Sequence, residues 1–142
     1  MGTVSVRILV VDDFEPYRKV TTVALSKEPG FQIVGEALDG QEAVRKAQEL
    51  KPDLVVLDIG LPSLNGIEAA RQILAVSPNS KLLFLTGNDF PQIVREAFEL
   101  GASAYVIKAD AKYELLMAVQ AVLLGKQYVS KRLAARGFLE KP

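Results

Sequence analysis

The chain contains no cysteine and no histidine. Disulfides, thiolate or imidazole metal sites, cysteine nucleophiles and histidine general bases are therefore excluded together. Any chemistry must be carried by carboxylates, hydroxyls, lysine or the backbone. Net charge is missing too: Lys plus Arg number 17, as do Asp plus Glu, so overall charge directs the chain toward neither nucleic acid nor membrane. No apolar run approaches the roughly 18 residues of a membrane-spanning helix, and no basic stretch followed by an apolar core opens the sequence. A cytoplasmic protein without membrane association is the expectation. Internal repeats and low-complexity segments are also absent.

What is present is the balance of a folded domain: 142 residues, 49% hydrophobic and 24% charged, enough for one core without staples. Residues 7–12 (RILVVD), 53–58 (DLVVLD), 81–86 (KLLFLT) and 103–107 (SAYVI) are short, continuous apolar runs. Runs without alternation suit strands buried on both faces. Residues 31–37 (FQIVGEA) read as a weaker, more peripheral strand. The intervening segments carry helical spacing: Ala43, Ala47 and Leu50; Ile93, Ala97 and Leu100; Leu115, Val119 and Val122. Asp39 with Glu42 has the form of a capping box, Asp89 precedes Phe90 and Pro91 as a helix start, and Gly101 and Gly125 stand where helices end. Regular βα alternation predicts a five-stranded parallel sheet with helices on both faces.

In such a sheet every strand ends on one edge, where function collects. The predicted strand ends carry Asp12 and Asp13, then Asp58, Thr86 and Lys108. Crowded carboxylates repel, and without histidine the simplest relief is a hard divalent cation held by oxygens. Magnesium suits one or two carboxylates and keeps waters for a phosphate ligand. Asp58 can then act as a carboxylate nucleophile toward phosphorus. The cation, the Lys108 ammonium and the Thr86 hydroxyl would neutralise the transferring group.

The motifs ILVVDD, LVVLDIGLPSLNG, LFLTG and GASAYVIKAD, in this order over about residues 6–125, resemble the receiver domain of two-component response regulators. The closest resemblance is to the NarL/FixJ branch, whose members carry a helix-turn-helix. The resemblance implies a doubly wound, flavodoxin-like (βα)5 fold with strand order 2-1-3-4-5. It implies Asp58 as phosphoacceptor, Asp12 and Asp13 as the acidic pair holding magnesium, and the Gly60 carbonyl as a further metal ligand. Thr86 corresponds to the switch hydroxyl, Lys108 to the ion-pair partner, and Tyr105 to the aromatic that turns inward when Thr86 moves. It further implies a sensor histidine kinase as phosphoryl donor, homodimerisation on phosphorylation, and a switched face on the fourth helix, fifth strand and fifth helix. Ala109 stands where many receivers have proline. Gly60 and Asn88 occupy the positions associated with the lifetime of the phosphorylated state.

Other classes fail on particular residues. A nucleotide binder would want a glycine-rich loop after the first strand, where Asp12, Asp13, Phe14 and Glu15 stand instead. A phosphatase of the haloacid dehalogenase type needs a second acid where Gly60 lies. A phosphorylation-independent pseudo-receiver, or a stand-alone receiver, is the alternative reading. The basic segment 126–142 is expected to be a solvated helix or linker stub after a receiver spanning 1–125, and DNA would be reached only through an output domain that the chain does not include.

Overall fold

A computed structural model describes residues 5–138. Each apolar run is a strand: β1 (Val6–Val11), β2 (Phe31–Ala37), β3 (Leu54–Leu57), β4 (Lys81–Thr86) and β5 (Ala104–Ile107). Helices α1 (Glu15–Ser26), α2 (Gly40–Leu50), α3 (Gly66–Val76), α4 (Pro91–Leu100) and α5 (Ala111–Leu123) alternate with them. A 3-10 turn, Lys108–Asp110, joins β5 to α5. All strand pairs are parallel.

The sheet has six strands in the order β2-β1-β3-β4-β5-β6, one more than the five expected. The first five keep the expected order. The sixth, β6 (Tyr128–Val129), lies beside β5, and the short α6 (Lys131–Ala134) follows it. Without β6, β5 would be an edge with unpaired backbone groups. The added strand covers them: Ser130 N donates to the Tyr105 carbonyl at 2.9 Å, and Ser130 Oγ accepts from Ile107 N at 2.8 Å. Two residues are too few to show a strand period among basic neighbours, so the segment reads from sequence as solvated. In the fold Val129 and Leu133 join the core beside Tyr105.

Strand side chains alternate between faces. Ile8, Val10, Leu54, Val56, Leu83 and Leu85 pack under Leu25 of α1 and Leu115, Val119 and Val122 of α5. Leu9, Val11, Val55, Leu57 and Phe84 face α2, α3 and α4 on the other side. Both faces are covered, which is why these strands read as unbroken apolar runs.

The predicted caps hold with one exception. Asp39 accepts from Glu42 N at 2.8 Å while Glu42 accepts from Leu38 N at 2.7 Å, and Gly101 and Gly125 take positive φ of 119° and 81°. At α4 the N-cap is Phe90; Asn88 Oδ1 accepts from Phe90 N, and Asp89 instead faces Arg136 at 3.4 Å. Because β1 lies between β2 and β3, the chain reverses its winding there. The carboxyl ends of β1 and β3 therefore open a crevice, and Asp12 and Asp58 follow those strands directly.

Candidate functional site

Lys108 joins the two buried acids. Its Nζ lies 2.8 Å from Asp12 Oδ2 and 2.9 Å from Asp58 Oδ2. Burial works against the ammonium's charge, yet hydrogen bonds to both carboxylates outweigh it, so Lys108 titrates above the ordinary lysine value. Asp13 is exposed, and one carboxylate oxygen from each of Asp12, Asp13 and Asp58 lies within 4.8 Å of the others. Asp58 Oδ1 accepts from Ile59 N at 2.7 Å and Gly60 N at 3.4 Å, while Asp12 Oδ1 accepts from Phe14 N at 3.0 Å. Asp12 and Asp58 are thus aimed by the turns that follow their own strands.

Thr86, 1% exposed, ends β4. Its Oγ1 accepts from Asn88 N at 3.2 Å, and the Asn88 carbonyl accepts from Tyr105 OH at 2.6 Å. The Asn88 backbone therefore connects the hydroxyl to the aromatic. Tyr105 is fully buried, its ring tilted against Phe84 with centroids 5.9 Å apart. The ring is enclosed in the core, with only its hydroxyl engaged toward the β4–α4 loop.

Several supporting residues carry no signal in spacing alone. Buried Arg18 donates to the Asp12 carbonyl at 2.8 Å and pairs with Glu36 at 2.8 Å, anchoring the β1 end. Tyr17 lies against Lys108, its ring centroid 4.4 Å from Nζ and its OH donating to the Lys108 carbonyl at 3.1 Å. Both contacts depend on α1 lying beside the turn that joins β5 to α5. Gly66 has a local signature, the SLNG turn opening α3. A Cβ there would lie 2.0 Å from the Asp58 carbonyl oxygen, so only glycine lets α3 start so close to the acid.

Residues 8–120 match the family described as Response regulator receiver domain. The chain belongs to the receiver family. It is 35% identical over 129 residues to the response regulator GacA of Pseudomonas viridiflava, covering 91% of this chain and 60% of that protein. It is 38% identical over 102 residues to the chemotaxis protein CheY of Thermotoga maritima, covering 72% of this chain and 84% of that protein. A LuxR-family two-component response regulator of Aurantimonas sp. SI85-9A1 superposes with a TM-score of 0.88 at 37% identity, over 92% of this chain and 94% of that one. The chain thus spans about 60% of the length of GacA. The similarities support a receiver of the NarL/FixJ type.

Receivers are signalling modules that bind magnesium at an acidic pocket. The present receiver has the donor set such a pocket requires: hard oxygens, three of them converging and one acid open to solvent. A Cβ at Gly60 would meet nothing within 4 Å, so the loop beside Asp58 is open. The residues fit the ion. No helix among the described residues is long and apolar enough to cross a membrane.

Proposed function

We propose that Asp58 accepts a phosphoryl group from a sensor histidine kinase and that this modification switches the α4-β5-α5 face. The observation that carries the reading is Lys108 bridging Asp12 and Asp58 at the edge where the winding reverses. In the transfer, an Asp58 oxygen attacks phosphorus as the P–N bond to the donor histidine breaks, leaving the bonding pair on nitrogen. Magnesium, held by Asp12, Asp13, Asp58 and the Gly60 carbonyl, would supply charge neutralisation for the transferring group. Lys108, already 2.9 Å from Asp58 Oδ2, would pair with a phosphoryl oxygen carried there. Thr86 Oγ1 accepts from Asn88 N, so its own proton is available to that oxygen.

The new group brings about −1.5 to −2 charges to the rim. Thr86 is drawn toward it, and Asn88 carries that movement to Tyr105 and Asp89. Phosphorylation then shifts the population between two arrangements of one fold. The module acts in the cytoplasm, dimerises when phosphorylated, and regulates transcription through an attached DNA-binding output domain. Incubation with acetyl phosphate and magnesium should add the mass of one phosphoryl group, and Asp58→Asn should abolish the gain. Persistence of the gain in Asp58→Asn would refute the assignment; absence of any gain in the native chain would favour a pseudo-receiver.

A further inference from the structure

Tyr17 holds Lys108 at both ends. Its ring lies 4.4 Å from the Nζ atom, and its hydroxyl donates to the Lys108 carbonyl at 3.1 Å. A lysine side chain is long and flexible, so pointing its ammonium at two carboxylates requires something to restrict it. An aromatic face attracts the cation and excludes water from one side of it, which strengthens its pull toward Asp12 and Asp58. The carbonyl contact fixes the first residue of the 3-10 turn from which the side chain departs.

We infer that Tyr17 is a positioning residue for Lys108, holding its ammonium between Asp12 and Asp58 and setting how strongly it competes with a divalent cation there. The inference rests on the phosphoacceptor reading of Asp58 for its consequence in transfer, but not for its consequence in cation binding. The Oδ2 atoms bound by Lys108 belong to two of the three acids whose oxygens converge. A cation entering that cluster competes with the ammonium for the same carboxylates. Loosening the lysine therefore has two effects of opposite sign: the cation binds more easily, while the lysine is placed less well for a phosphoryl oxygen. A general loss of structure would weaken both.

The test compares the native chain with Tyr17→Leu and Tyr17→Phe. Magnesium affinity is measured by calorimetry, phosphorylation by acetyl phosphate at saturating magnesium, and the Lys108 ε-methylene position by NMR. In Tyr17→Leu, magnesium should bind about threefold more tightly and transfer at saturation should slow about tenfold, changes of the size a single cation–ring contact supplies. The ring-shielded ε-methylene resonance should return to an ordinary lysine position in Tyr17→Leu and stay shifted in Tyr17→Phe, which keeps the ring. Unchanged magnesium affinity in Tyr17→Leu, or affinity and rate falling together, would overturn the inference. If the native chain takes no phosphoryl group, the Asp58 reading fails, while magnesium affinity and the NMR shift still decide the role of Tyr17.

Discussion

Gly60, in the loop after β3, and Gly66, the first residue of α3, carry opposite demands. A Cβ on Gly66 would press to 2.0 Å from the Asp58 carbonyl oxygen and 2.6 Å from Ile59 Cα, backbone against backbone, whereas one on Gly60 meets nothing within 4 Å. Gly66→Ala should therefore cost about 3 kcal/mol or more, because neither partner can yield without moving Asp58. Gly60→Ala should stay within about 0.5 kcal/mol of the native chain. Urea unfolding midpoints distinguish the two, and equal midpoints would refute the close-approach argument. At Thr86, replacement by valine keeps the shape but removes the acceptor of Asn88 N. That change should cost about 1 kcal/mol and uncouple Tyr105 from the phosphoryl site, read as a tyrosine NMR resonance that no longer responds to acetyl phosphate.

At the scale of elements, β6 and α6 close the sheet. Ser130 substitutes its hydroxyl for a strand partner at Ile107 N, and fully buried Leu133 fills the space beside Tyr105. Leu133→Ala should lower stability by about 2–5 kcal/mol through lost burial and the cavity left behind. Ser130→Ala should cost about 1–3 kcal/mol, because it strands a buried donor. The exposed Arg132–Asp110 pair, bidentate at 2.8 and 2.7 Å, should contribute least of the three, because solvent screens it. Thermal denaturation of the three variants tests this ranking. A larger loss from Arg132→Ala than from Leu133→Ala would show that charge, not burial, holds the segment down.

For the molecule as a whole, two buried or partly buried phenols contribute to the alkaline limit. Burial and then the charge of Glu114 push Tyr128 up to about 12, and burial together with Asp58 raises Tyr105 well above the usual 10.0. The folded chain holds these protons more tightly than the unfolded one. The Tyr128 contribution is full below pH 10.0 and is lost as pH rises from there through about 12, and that of Tyr105 is lost over a range that extends higher. Unfolding free energy should be insensitive to these groups up to pH 9 and then fall, with Tyr128→Phe flattening part of the decline. Denaturation profiles at stepped pH provide the check, and an identical alkaline decline in Tyr128→Phe would remove Tyr128 from the account.

The five alternating strands and helices were legible because each is encoded locally. Leu54–Leu57 is unbroken because both faces of β3 are covered, and Asp39 and Glu42 cap α2 through residues only a few positions away. The acids, hydroxyl and lysine at the strand ends follow from that alternation, since a parallel sheet brings all strand ends to one edge. The sequence by itself thus determined the first five strands of the sheet and the meeting of Asp12, Asp13, Asp58 and Lys108 at its rim. Only the tertiary structure decided how those groups are held: Tyr17 reaching Lys108 across 91 positions, Asn88 joining Thr86 to Tyr105, and Ser130 completing the edge of β5. The physical reason is range. Periodicity and capping act between near neighbours, whereas these contacts exist only after separate elements have packed, and no pattern within one segment specifies its distant partner.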